Sequence, residues 1–415
     1  MTKLLLAFAL FTALGCGLSA QEFSTATMRP ISLGEAYALA LAKSEQLALR
    51  GEGLKQLEAA EQFLNAAFRP TLDLNASQSK QQNSVASAKG YISGSYSLFS
   101  GMRDYIALKA AGARTKAAEL DLARARQQLY LGVVQAYLNL LSAQREVLIR
   151  REQLDVTAKR ITELEARVEI GRSRKSEAVA MKTQLAQDKA SYLNSEAGER
   201  LAQQTLMFLT GLDSDLLPSG VPVRREAALE TYLKAALSRP DLAAARKDLE
   251  ASGYLLDLQD RNLWPSVTVS ADYYVLRDPM PAPVNRWDAA LALKVPLYNG
   301  GAAQAQRQAA YSARRSAALT LQQAERQAST EVRSAFEEFK YSALQAASLE
   351  DALVLASDNE NFQEEDYMLG LVTNLDVLNA LNTVQQTRLA LSQAHIREIF
   401  TLLKLETAAG LESYK

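Results

Sequence analysis

The chain has 415 residues, 46 basic and 47 acidic side chains, one Cys and one His. Charge this evenly balanced, without a basic tract, argues against a nucleic-acid partner. One Cys makes no internal disulfide, and one Cys with one His leaves no material for a zinc cluster or for thiol or histidine catalysis. No metal, no cofactor and no enzymatic activity are therefore expected.

At the N-terminus Lys3 precedes an apolar run from Leu4 to Leu14. Its length suits a secretory signal, residues 1–20, and is too short to span a bilayer. Leu18-Ser19-Ala20 offers ordinary cleavage, whereas Ala13-Leu14-Gly15-Cys16 is similar to a lipoprotein signal with its leucine one place too close to the Cys. Cys16 is thus either lost with the signal or a lipidation site. No later segment reads as a transmembrane helix, so any membrane insertion must use strands.

Met28-Arg29-Pro30 reads as an exposed lead-in. Ser32 with Glu35 forms a capping box for one helix running to about Phe68, before Pro70. The period then changes from helical to two. Over 71–80, Leu72, Leu74 and Ala76 alternate with Asp73, Asn75 and Ser77; over 89–99, Ile92, Tyr96 and Leu98 alternate with Ser93, Ser95 and Ser97. Each run has the length of a tilted membrane strand, and apolar-out, polar-in alternation suits a barrel with a wet lumen. A soluble hairpin on a core has the same pattern. A long helix over about 102–170 carries a heptad seam through Leu129, Val133, Ala136 and Leu140, resumed at Leu154, Thr157, Ile161 and Leu164. Gly171 turns the chain into a return helix over about 176–210.

Residues 213–225, with Pro218, Gly220 and Pro222, break the pattern. After them it starts again. Residues 229–263 repeat the opening helix, with Pro240 expected to break it near its start. Alternating runs follow over 266–276 and 286–298. Residues 295–411 then align with 96–212 at a constant offset: Val133 meets Val332, Gly171 meets Gly370, Glu177 meets Asp376, and Gly211 meets Gly410. A fixed internal period means copies packing on each other. The domain reading is a signal peptide 1–20, a first repeat 21–212, a linker 213–228 and a second repeat 229–415.

Each half supplies one helix of nearly 70 residues, about 100 Å long, and two of half that length. Two short helices end to end match one long one. Four strands are too few to close a barrel, and unpaired edges cannot face lipid. Membrane insertion therefore demands oligomerisation.

At this point the chain resembles the TolC-like outer-membrane efflux proteins. The resemblance rests on the tandem halves, the strand hairpins after Arg69-Pro70 and Trp264-Pro265, and the Tyr137-Leu138-Asn139 segment. It also rests on the Gly171 and Gly370 bends and on Asp376-Val377-Leu378-Asn379-Ala380. It implies an α+β membrane protein: a tandem-repeat protomer of long coiled-coil helices and four β-strands. Three protomers would make a 12-stranded β-barrel continued by a 12-column α-helical barrel. The implied location is the outer membrane with a long periplasmic extension. The implied function is the exit duct of a tripartite efflux or type I secretion system, with a periplasmic adaptor and an inner-membrane transporter as partners. A periplasmic coiled-coil scaffold or lipoprotein without a pore is the alternative.

The resemblance also implies site residues. Asp376 matches an inward pore carboxylate, and Asn379 stands where a second is often found. Asp376 as a solvated helix cap is the competing reading. Glu177 and Tyr367 match latch positions at the entrance. Val372 occupies the place of the usual latch arginine, while Arg172, Arg174 and Lys175 crowd the first tip, within reach of Asp376 or Glu177. Gly370-Leu371 matches an adaptor-docking tip. Gly171-Arg172 departs from it, so the two docking grooves are expected to bind unequally.

Overall fold

The computed structural model describes residues 29–80, 82, 86–220, 226–277 and 285–411. The signal segment with Cys16, part of the linker and the Pro-rich turn at Pro279–Pro283 lie outside them. In chain order the elements are β1 (Arg29–Ile31), α1 (Leu33–Lys43), α2 (Glu45–Ala66), β2 (Thr71–Ser79), β3 (Ser87–Phe99), α3 (Arg103–Glu169) and α4 (Lys175–Thr210). The second half follows with β4 (Leu216–Pro218), α5 (Leu229–Ala236), α6 (Pro240–Gln259), β5 (Ser266–Arg277), β6 (Trp287–Lys294), α7 (Ala302–Leu369) and α8 (Asn374–Ala408).

Strands β2, β3, β5 and β6 form one antiparallel sheet in that order. Helices α2, α3, α6 and α7 pack side by side in the same order, each continuous with its strand. Beyond the middle of the molecule the order is α4, α3, α8, α7. The two long helices thus run through both layers, and the short ones stack end to end beside them. Among the described residues no helix is long and apolar enough to cross a membrane.

Four expectations are corrected. Arg29 and Pro30 of the lead-in are exposed as expected, but with Ile31 they form a strand that pairs in parallel with Leu216–Pro218 of the linker. The opening helix is two helices, because Ser44 is extended (ψ 106°) and its hydroxyl caps α2 by accepting from the Leu47 N–H. The capping box at Ser32 is half formed: Ser32 Oγ accepts from Glu35 N–H, but the Glu35 carboxylate turns to Arg29 Nη2 at 2.6 Å. Strand β6 stops at Lys294 rather than 298, because Pro296 has no N–H for the ladder. Pro240 breaks the second opening helix as expected and stands at the first position of α6.

The core sits at the middle of the columns. Ile31, Leu33, Tyr37, Tyr130, Val133, Tyr137, Leu140, Leu206 and Leu216 form one buried cluster. The second repeat builds its own from Tyr232, Val332, Ala335, Phe339 and Leu405. Tyr137, fully buried, donates to the carbonyls of Ile31 (3.1 Å) and Gly220 (2.9 Å), tying both crossing segments to α3. The end of α8 is held by cations from other columns. Arg239, 4% exposed, donates to Glu331 (2.7 Å), Asp241 (2.6 Å) and the Ala408 carbonyl (3.0 Å). Arg124 donates to the Thr407 carbonyl at 2.9 Å.

The α3–α4 seam contains a feature that the heptad pattern concealed. Asp188 is buried and accepts from Gln153 (2.8 Å), Gln184 (2.9 Å) and Thr157 (2.8 Å). A buried carboxylate is tolerated only when its lone pairs are satisfied. Arg150, the polar residue at the break in the seam, donates to Gln153 at 3.4 Å.

Candidate functional site

The two hairpin tips share one backbone solution. Gly171 (φ +74°) and Gly370 (φ +76°) both lie in the left-handed region. The next amides fold back to the fifth residue before them, Arg172 N–H to the Arg167 carbonyl (2.8 Å) and Leu371 N–H to the Asp366 carbonyl (2.9 Å). This closure satisfies carbonyls that the helix ends leave open. No atom lies within 4 Å of a Cβ placed at either glycine, so the backbone alone requires glycine there. Arg172 and Leu371 project from the two tips, both exposed. The tips therefore differ in chemistry and not in shape.

Asp376 lies in the first turn of α8, fully exposed. Its Oδ2 accepts from the Thr373 N–H (2.8 Å) and the Thr373 hydroxyl (2.6 Å). The hydroxyl first, then the backbone N–H, hold its carboxyl below the ordinary aspartate range. Asp376 is a helix cap and an exposed anion at once. Asn379 lies one turn on along the same exposed face, followed by Thr383. Beneath this face Val377, Leu378, Ala380 and Leu381 are buried. Leu378 packs with Ile161 and Leu164 of α3 and with Ala178 and Met181 of α4, so one small core joins both hairpins just above the tips.

The expected pairing of the first-tip cations is not found. Glu177 accepts from Ser173 Oγ at 2.6 Å. Arg172, Arg174 and Lys175 are exposed, and none forms an ion pair with Glu177 or Asp376 among the described residues. The physical reason is local: each carboxylate is already satisfied by a hydroxyl in its own turn. Tyr367 instead lies under two cations from α3, Arg167 at 5.0 Å and Arg160 at 6.0 Å from its ring centroid. Arg160 also donates to Glu364 at 3.2 Å, with its side chain 15% exposed. Both links cross from the first hairpin to the second. Glu360, one turn above Glu364, has its carboxyl pushed up by burial and by the Glu364 charge. Arg160 and Arg167 were not singled out from sequence. Their spacing of one heptad was visible, but the partner column was not.

Residues 231–411 match the family described as outer membrane efflux protein. The chain is 21% identical over 318 residues to outer membrane efflux protein BepC of Brucella suis, covering 75% of this chain and 70% of that one. It is 24% identical over 320 residues to outer membrane protein TolC of Vibrio cholerae, covering 74% and 73%. The second half of the chain is thus similar to the outer membrane efflux proteins, and both relatives are distant. Among solved structures, the family fold is reproduced by CusC (TM-score 0.83, 19% identity, 91% of this chain and 92% of that one). It is reproduced as well by VceC of Vibrio cholerae (TM-score 0.81, 22% identity, 91% and 96%). Both relatives are described as outer membrane proteins. The aromatic residues at the strand ends fit that placement: Trp264 and Tyr298 are 47% and 83% exposed on the isolated protomer.

Proposed function

We propose that three copies of this chain close around one axis into a twelve-stranded barrel continued by a twelve-column helical barrel. This is the exit duct of an efflux system. An inner-membrane pump and a periplasmic adaptor deliver substrate to its helical end, and the barrel releases it outside. The observation that carries the reading is the coincidence of open flanks. Among the described residues, strands β2 and β6 have no partner on their outer edges, and α2 and α7 flank the helical layer directly in line with them. Towards the tips α4 and α7 take the same places. Large apolar side chains stand bare on these flanking helices: Phe63 on α2, Phe208 on α4, and Phe362 on α7. On the sheet, Leu72, Leu74, Leu291 and Leu293 expose a lipid-like face. Four strands cannot close alone, and sheet edges are not stable in hydrocarbon. Further copies, edge to edge, satisfy strands and helices together.

In this duct the helical tips form the entrance. Three copies of Asp376 near the axis attract cations, and Asn379 adds no second ring. Arg160 and Arg167 of α3 hold Glu364 and Tyr367 of α7 and restrain the second hairpin within each protomer. Glu177, Arg174 and Lys175 line the first tip beside it. The adaptor meets Gly370-Leu371 as an apolar tip and Gly171-Arg172 as a cationic one.

The test is single-channel conductance of purified protein in planar bilayers, beside Asp376→Ala. Cation-selective steps that lose selectivity in the variant are expected. Steps with unchanged selectivity would move the filter away from Asp376. Folded protein that neither inserts nor conducts would sink the duct.

A further inference from the structure

The two faces of the sheet differ in one telling respect. Its outer face carries Leu72, Leu74, Ile92, Val269, Tyr273, Trp287 and Leu291, joined row by row across the strands. Its inner face is polar: Thr71, Ser95 and Ser270 share one row, and Asp73, Ser93, Asp272 and Asp288 share the next. One row further out stand two large aromatics on that polar face, Tyr91 directly opposite Tyr274. Their rings lie 5.3 Å apart at 41°.

A β-bulge builds this arrangement. The register shifts between Gly90 and Tyr91, so that Lys89 pairs with Arg277, Gly90 with Leu276, and Tyr91 with Tyr274. Val275 is the extra residue. Val275 and Leu276 therefore both point outward, 70% and 56% exposed, and Tyr274 and Arg277 both point inward. Without the bulge, strict alternation puts Tyr274 and Arg277 on opposite faces. With it, the Arg277 guanidinium lies 4.3 Å from the Tyr274 ring centroid. Arg277 is tethered there by the Asn285 carbonyl (3.2 Å) and by Asp288 (3.7 Å).

We infer that Tyr91 and Tyr274, with the carboxylates of Asp73 and Asp272 one row below, form a subsite in the barrel lumen for organic cations bearing aromatic groups. The inference rests on the duct reading, which places this face around a common pore. Aromatic faces attract cations through the ring quadrupole, and the neighbouring carboxylates add charge attraction. Arg277 acts as an internal occupant of the Tyr274 face and competes with the ligand. Three copies make an aromatic collar just outside an acidic belt. A bore of twelve strands, ~4.8 Å apart and tilted ~40°, is about 24 Å between backbones. The collar therefore binds cargo at the wall without sealing the duct.

The experiment is block of single-channel current by tetraphenylphosphonium, with tetrabutylammonium as the cation without rings. Wild-type channels are expected to be half-blocked at a lower concentration by the phosphonium. Y91S/Y274S and the bulk-preserving Y91L/Y274L should both raise that concentration roughly tenfold and leave tetrabutylammonium unchanged. Y274F keeps the ring and should keep the block; R277Q frees the ring and should tighten it. Unit conductance in potassium chloride reports that each variant has assembled. Conducting variants with unchanged phosphonium block, or with both cations weakened equally, would overturn the subsite and leave the duct intact. Wild-type protein that never conducts would overturn both.

Discussion

The Arg167 guanidinium of α3 lies 5.0 Å from the ring centroid of Tyr367 on α7. One heptad away Arg160 holds Glu364 at 3.2 Å. These contacts join the two hairpins near their tips, where the proposed duct has its entrance. Half-exposed ion pairs and cation–π contacts contribute about 1 kcal/mol each. Removing both, in Arg160→Ala/Arg167→Ala, is expected to favour the open entrance by roughly 2 kcal/mol, about thirtyfold in population. The closed-state conductance of the double variant should rise. The first-tip variant Arg174→Glu serves as the contrast, because the Arg174 side chain forms no ion pair among the described residues. If Arg174→Glu leaks and the double variant does not, the restraint lies between protomers instead.

Thr373 makes the charge of Asp376 resistant to acid. The carboxyl is held below the ordinary range by the Thr373 hydroxyl and N–H, so it stays ionised where a free aspartate begins to protonate. The sign follows from linkage. A lowered folded value means that the cap is fully formed at neutral pH and is lost only as pH falls through that lowered value. Cation selectivity is therefore expected to survive moderate acidification in the wild type. Thr373→Val removes the hydroxyl and should move the loss of selectivity to higher pH. Reversal potentials in a salt gradient, measured over a pH series, decide this. Coincident curves for the two proteins would mean that Asp376 is not the titrating filter.

The long helices and the strand faces were legible because each rests on a period: the heptad seam of α3, and the alternation of Leu72, Asp73, Leu74 and Asn75. The break at Ser44 was not. Its counterpart Arg239 is followed by Pro240, which announces a break, whereas Ser44 sits in an unbroken helical composition and acts only through its cap. The pairing of Arg29–Ile31 with Leu216–Pro218 was hidden too, since three-residue strands have no measurable period. Arg160 and Arg167 read as solvated heptad positions. Their partners depend on which column stands beside α3, a fact of lateral order that one sequence does not contain. The Val275 bulge was invisible for a related reason: Tyr273-Tyr274 reads as ordinary alternation until its partner strand is known.

Arg239 and Asp241 predict a pH-dependent junction at the middle of the columns. Burial raises the Asp241 carboxyl, but the hydrogen bonds and charge of Arg239 outweigh it, and the net shift is downward. Arg239 also binds Glu331 and the Ala408 carbonyl, so removing it leaves Asp241 with Arg124 at 3.7 Å and Glu331 with Gln327 at 2.9 Å, and opens a helix end. Asp241→Asn should lower the thermal midpoint at neutral pH, by an amount matching about 1 kcal/mol for a partly exposed pair. The gap to wild type should close as pH falls through the depressed Asp241 value. Arg239→Met should cost more, about 3 kcal/mol, because it removes the nearest cation from two partly buried carboxylates at once. Equal midpoints for Arg239→Met and wild type at neutral pH would show that the cluster is solvated in the folded protein.

Gly171 and Gly370 separate the backbone from the docking chemistry of the tips. Both have positive φ and open space around the Cβ position, so alanine is penalised by backbone conformation and not by collision. That penalty is about 1 kcal/mol. It falls on the tip closure, where the Arg172 amide meets the Arg167 carbonyl and the Leu371 amide meets the Asp366 carbonyl. Gly171→Ala and Gly370→Ala are each expected to speed amide exchange at these closures about fivefold. The global unfolding midpoint should stay within a degree or two of wild type, since no core residue is touched. Adaptor binding should then fall more for Leu371→Ser than for Gly370→Ala, because the former removes the exposed apolar side chain and the latter only loosens its base. A large drop in global midpoint from either glycine variant would show that the tips are part of the cooperative core, and would remove them as independently adjustable docking elements.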